Sequence, residues 1–147
     1  MLESVELFKS VELLKPVVVL IAWSMVMLFW MLAMRIPAMK AAKIDLIPGE
    51  VYEEKMAALP ASVRWKADNY NHLMEQPTLF YALVISLCIL GADSQLVITA
   101  AWSYTLLRVA HSLVQSIFNK IEIRFLLFVL SNVALLVLLG NAVSLLF

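Results

Sequence analysis

At 147 residues, 63% of them hydrophobic and only 15% charged, the chain is too apolar for a soluble domain of its size. The formal net charge is zero, and no basic tract or aromatic–basic pattern of the kind that binds nucleic acid occurs. The charges are bunched and leave runs long enough to cross a bilayer, so the expected class is an all-α integral membrane protein forming one domain over residues 1–147.

The first fifteen residues mix Glu3, Glu6 and Glu12 with Lys9 and Lys15, and the apolar run after them exceeds a signal core, so no cleaved leader is expected. Pro16 to Met34 carries no charge and is bracketed by Lys15 and Arg35. Its nineteen residues, at about 1.5 Å each, are enough for a hydrocarbon core of roughly 30 Å. Pro16 suits a first helical turn, and the expected first span covers about 16–37.

A polar connection at about 38–60 follows, with a turn signal at Ile47-Pro-Gly49 and room for one short surface helix between Glu50 and Leu59. The second helix is expected over about 62–92, with Ser62 as N-cap and a bend at Pro77 near Glu75. At about 100° per residue, Arg64, Asp68, Asn71, His72 and Glu75 share one face of it. Cys88 sits in the apolar part; it has no partner for an intrachain disulfide and reads as a buried small hydrophobe.

Gly91-Ala-Asp-Ser94 makes a tight turn, with Asp93 or Ser94 capping a third helix over about 95–119. Lys120 to Ile123 is short enough only for a hairpin, and a fourth helix runs over about 122–146. The expected architecture is a four-transmembrane-helix bundle. The first and third connections, with the approach to the second helix, hold Arg35, Lys40, Lys43, Lys55, Arg64, Lys66, Lys120 and Arg124, against Lys9 and Lys15 on the other side. The positive-inside rule therefore puts the connections in the cytoplasm and both termini on the non-cytoplasmic side, in the inner membrane if the source is bacterial.

The third helix carries the main functional clue. Tyr104, Arg108, His111, Ser112, Gln115 and Asn119 fall within roughly a third of its circumference, and the rest is mostly aliphatic. Polar groups within a span face a bundle interior or a wet cavity and mark sites. Glu75 is eleven residues from Arg64 and Arg108 eleven from Asn119, so both sit roughly 16 Å from the cytoplasmic ends of their helices. Matched depth predicts a Glu75–Arg108 ion pair flanked by His72 and His111. Asn71, Gln115, Asn119 and Arg124 then form a polar vestibule on its cytoplasmic side, with Arg35 at the same level. The competing reading makes the pair a lock on helix register, with Gln115 and Asn119 as interhelical glue. The two histidines lack a third ligand at a suitable spacing, so no metal is expected. No nucleophile–base pair or phosphate loop appears.

Arg108-Val-Ala-His111, Arg124 sixteen residues on, and Glu75-Gln-Pro77 in the second helix resemble the MAPEG family of membrane-associated proteins in eicosanoid and glutathione metabolism. The resemblance covers nearly the whole chain and is to bacterial-type members similar to microsomal glutathione transferases. It implies a homotrimer with glutathione in a cleft between protomers, open to the cytoplasm. It also implies that Arg124 stabilises a glutathione thiolate, which conjugates or reduces a lipophilic electrophile arriving from the membrane lipids. Arg35, Asn71, His72, Glu75, Arg108, His111 and Gln115 would line the glutathione site.

The chain departs from the family pattern at several of these positions. Asn71 and His72 stand where glutathione-using members carry an Arg-Asn pair, and Gln115 where several carry tyrosine. Phe125 stands where prostaglandin-synthesising members carry serine, and Pro77 lies closer to Glu75 than in mammalian members. One cationic contact to glutathione is thereby lost, and eicosanoid synthesis is not expected. The implied activity is membrane glutathione transferase or peroxidase; the alternative is a non-enzymatic member of the fold binding a lipid or other amphiphile. A small proton or solute conductor fits less well, because the outer halves of the spans are almost wholly apolar.

Overall fold

A computed structural model describes the backbone of residues 2–45, 47, 51–92 and 94–147, and within these ranges the side chains from residue 11 onward. The described residues form six helices in order: α1 (Leu2–Ala41), α2 (Tyr52–Ala57), α3 (Ala61–Glu75), α4 (Pro77–Ile89), α5 (Gln95–Ile117) and α6 (Ile121–Leu146). Among the described residues, three stretches are long and apolar enough to cross a bilayer: Val11–Ala41, Ala61–Ile89 and Ile121–Leu146. Helix α5 has the length, but its polar stripe keeps it out of that set.

Helix α1 begins well before Pro16, which lies inside it; the Pro16 carbonyl accepts a hydrogen bond from the Thr105 hydroxyl at 3.1 Å. Pro77 separates α3 from α4, because its ring leaves no N–H to continue the ladder across Gln76. The Thr78 hydroxyl donates to the Glu75 carbonyl at 2.6 Å, meeting one acceptor at this break. Ser62 does not cap α3, which starts one residue earlier behind Pro60 without a side-chain cap. Ser94 does cap α5, accepting from the Val97 N–H at 3.3 Å; Asp93 lies outside the described residues.

Helix α5 is the centre of the bundle. It packs along α6 and also against α1 and α3. The buried residues of both helices include small side chains, Ala100 and Ala101 on α5 and Ser131, Ala134 and Ala142 on α6, which suit close helix packing. The apolar core joins Leu13, Val17, Leu20 and Met27 of α1 to Phe80, Val84 and Leu87 of α4 and Leu138 of α6. Phe80 stacks on Tyr104, with ring centroids 4.3 Å apart. A second cluster of Met56, Leu59 and Val63 folds the α2 region back against Ala38, Met39 and Ile44. The outer surfaces of the long helices are aliphatic or aromatic, as at Val18, Phe29, Leu79 and Leu136, and suit contact with acyl chains.

Candidate functional site

The polar stripe of α5 lies where the core is densest. Tyr104, Arg108, His111, Ser112 and Gln115 are all buried, and Arg108 is only 1% exposed. The guanidinium donates through Nε to the Tyr104 hydroxyl at 3.2 Å and through Nη1 to His72 Nε2 at 3.1 Å. Its planar face lies over the Tyr104 and Phe128 rings, each 5.5 Å from the centroid, while Nη2 has no partner. A guanidinium can only donate, so His72 Nε2 is the acceptor and Nδ1 carries the hydrogen, facing Glu75 Oε2 at 3.5 Å.

The Glu75–Arg108 ion pair expected from matched depth is therefore not made. His72 stands between the two, and the Glu75 side chain is 70% exposed. The reason is the rotation of α3. Its charged face, with Arg64, Asp68, Asn71 and Glu75, is exposed on the outside of the chain, and the buried face carries Val63, Lys66, Asn69 and Leu73. His72 lies at the edge of the two faces and alone of the five reaches Arg108.

Two of the buried α3 residues escaped the sequence reading. The Lys66 ammonium donates to the Ser62 carbonyl at 2.9 Å and the Ser116 carbonyl at 3.1 Å, and sits 4.9 Å from the Trp30 ring centre. Ser116 is in the last turn of α5, where carbonyls lack helical partners and a cation is favoured. The Asn69 amide donates to Ser112 Oγ at 2.8 Å, and the same oxygen accepts from the Trp23 indole at 3.0 Å. Ser112 thus joins α1, α3 and α5 below Arg108. The signal was present, since residues 63, 66, 69 and 73 recur at helical spacing; a face holding lysine and asparagine simply does not look like a core face.

Arg124 enters from the first turn of α6. The turn before it places Asn119 in the left-handed region (φ 48°), with the Asn119 N–H bonded to the Val114 carbonyl at 2.7 Å. This aims Asn119 Oδ1 at Arg124 Nη1, 2.5 Å away. Arg124 lines a groove of about 390 Å³ with His72, His111, Ile121, Phe125 and Phe128. The His72 and His111 rings are 5.0 Å apart. Its lining combines Arg124 and two imidazoles with three apolar side chains, of which Ile121 and Phe125 are exposed.

Arg35 and Asn71 open on a different groove, of about 510 Å³, shared with Tyr52, Arg64 and Asp68. Arg35 is held by Tyr52, donating to its hydroxyl at 2.6 Å and lying 5.4 Å from its ring centre. Gln115 reaches neither groove lining; it is 4% exposed and its Oε1 has no partner. No group of three or more His, Cys, Asp or Glu among the described residues could hold a metal ion.

A family model described as the MAPEG family matches residues 13–144. The chain belongs to the MAPEG family. Searches of curated proteins and of solved structures return no match. Family membership and the three apolar stretches together make this MAPEG chain an integral membrane protein in contact with lipid. MAPEG members use glutathione, and both grooves fall inside the matched residues. In this MAPEG chain, His72, His111 and Arg124 share one groove and Arg35 and Asn71 the other, with Arg108 buried behind the first.

Proposed function

We propose that the protein is a four-span membrane glutathione transferase or peroxidase, active as a homotrimer, that joins glutathione to lipophilic electrophiles or uses it to reduce them. The observation that carries this reading is the groove at the start of α6. Arg124, anchored by Asn119, shares it with His72 and His111, while Phe125, Phe128 and Ile121 form an apolar wall. A cationic group beside a thiol favours the thiolate, which is the nucleophilic form. The thiolate forms a bond to carbon of the electrophile, whose leaving group departs with its electron pair. With a lipid hydroperoxide, the thiolate attacks the terminal oxygen and the O–O bond breaks, giving glutathione sulfenic acid and the lipid alcohol once the alkoxide takes up a proton. A second glutathione thiol then displaces the sulfenic oxygen as water and forms the disulfide.

The exposed face of α3 supports assembly. Glu75, roughly 16 Å from the cytoplasmic end of the helix, would otherwise meet lipid, and a charged side chain near the bilayer centre costs about 3 kcal/mol on insertion scales. A neighbouring copy covering that face removes this cost and brings the Arg35 groove of one protomer toward the Arg124 groove of the next. Arg35, Asn71, His72, Glu75 and His111 then surround the tripeptide, with Arg108 held behind His72; Gln115, buried in the core, does not reach it. The bias of basic residues supports cytoplasmic connections, with both termini on the opposite side.

Conjugation of a lipophilic electrophile by the protein in nanodiscs tests the reading. Arg124→Ala is expected to lower kcat by roughly 100-fold or more, the scale of losing one preorganised charge-stabilising donor. Full activity in that variant would refute the role of Arg124. A second reading, a non-enzymatic binder of a lipid or other amphiphile, draws on the apolar lining of the same groove. It predicts co-purified lipid and no response to glutathione.

A further inference from the structure

A second binding feature lies at the end of α1, next to the Arg35 groove but sharing no lining residue with either groove. The charge-free run of this helix stops at Met34, and Lys40 is five residues beyond Arg35, or roughly 7 Å further along the axis. That distance matches a headgroup layer of roughly 5–8 Å on each side of the hydrocarbon core. The helix ends at Ala41, and the chain folds back on its last turn. The Lys43 N–H bonds to the Lys40 carbonyl at 3.2 Å and the Ile44 N–H to the Met39 carbonyl at 3.1 Å, with Lys43 in the left-handed region at φ 51°. The reversal holds Lys40 and Lys43 at one level, and packing of Ile44 and Met39 against Met56, Leu59 and Val63 fixes it.

Lys40 and Lys43 are exposed and line a hollow of about 710 Å³ with Ile36, Met39, Ile44 and Asp45. Its wall is apolar toward the membrane, at Ile36 and Met39, and cationic at headgroup level. Asp45 also lines the hollow, leaving two ammonium groups against one carboxylate there, and Lys55 Nζ, donating to the Asp45 backbone carbonyl at 2.6 Å, adds a third ammonium nearby. We propose that this hollow binds one anionic phospholipid from the adjoining leaflet, with the phosphate on Lys40 and Lys43 and the upper acyl chain against Ile36 and Met39. The charge complementarity calls for a phosphodiester headgroup with net negative charge, and the apolar wall for a ligand that stays in the bilayer rather than a free phosphate. This site does not depend on the proposed glutathione chemistry.

The test is native mass spectrometry of the full chain released from nanodiscs of phosphatidylcholine with a graded fraction of phosphatidylglycerol. Selective retention of phosphatidylglycerol is expected, falling roughly five-fold for Lys40→Gln or Lys43→Gln and roughly 25-fold for the pair. The charge-keeping pair Lys40→Arg and Lys43→Arg should retain the lipid, as should Lys120→Gln at another exposed position. Equal retention in the double glutamine variant, or loss in the double arginine variant, would overturn the proposal. So would displacement of the lipid by millimolar glycerol phosphate, which would mark a soluble-phosphate site.

Discussion

Ser112→Ala is the sharpest probe of how the bundle is held together. Ser112 Oγ is wholly buried and accepts two hydrogen bonds, from Asn69 Nδ2 at 2.8 Å and from Trp23 Nε1 at 3.0 Å, on two other helices. Alanine keeps the backbone and nearly the volume but strands both donors. Interhelical hydrogen bonds in membrane proteins average about 0.6 kcal/mol and reach about 1.7. Trp23 is only half-buried and belongs near the lower figure; Asn69 has no exposure and belongs near the upper. The two together give about 2 kcal/mol, less about 0.5 for the better helix propensity of alanine, so a loss of about 1.5 kcal/mol is expected. Reversible unfolding in mixed detergent micelles, followed by tryptophan fluorescence, measures it. Adding Asn69→Leu to the variant removes the stranded amide and should recover part of the loss. A Ser112→Ala protein within about 0.5 kcal/mol of wild type, the usual range for an inert surface change, would refute the junction.

Lys66→Met should destabilise by about 1–3 kcal/mol, since it strands the Ser116 carbonyl and removes the cation from Trp30; the Trp30 emission should change with it. Ser94→Ala should cost about 1 kcal/mol by removing the α5 cap, whereas Ser94→Asp should be close to neutral; the same unfolding assay reads both. Asn119→Gly separates folding from function. Glycine tolerates φ 48° but cannot hold Arg124, so stability should be kept while kcat for conjugation falls by roughly 10-fold, on the scale of one charge-assisted hydrogen bond.

The α5 stripe was legible because arginine, histidine and glutamine at helical spacing within an aliphatic helix leave few other arrangements, and the structure buries Arg108, His111, Ser112 and Gln115 in the core. The rotation of α3 was not. Both of its faces carry polar groups, and angular position alone does not say which face turns inward. The inward face is the one on which Lys66 meets the Ser116 carbonyl and Asn69 the Ser112 hydroxyl of α5. The Glu75–Arg108 pair fails for the same reason: matched depth fixes height along the bundle but not direction around it. Tyr52 as the partner of Arg35 was out of reach, since the fold-back through α2 rests on a small apolar cluster rather than on any local motif.

Calorimetric titration of the nanodisc-embedded protein with reduced glutathione tests the central claim most directly, beside Arg108→Met, Glu75→Gln and Arg124→Ala. The account predicts saturable binding at or below millimolar concentration, weakened by Arg108→Met and Glu75→Gln, because Arg108 is a buried cation without a carboxylate partner and Glu75 reaches it through His72. Absence of binding at millimolar glutathione in the correctly folded wild type would contradict it and leave the groove to a lipid.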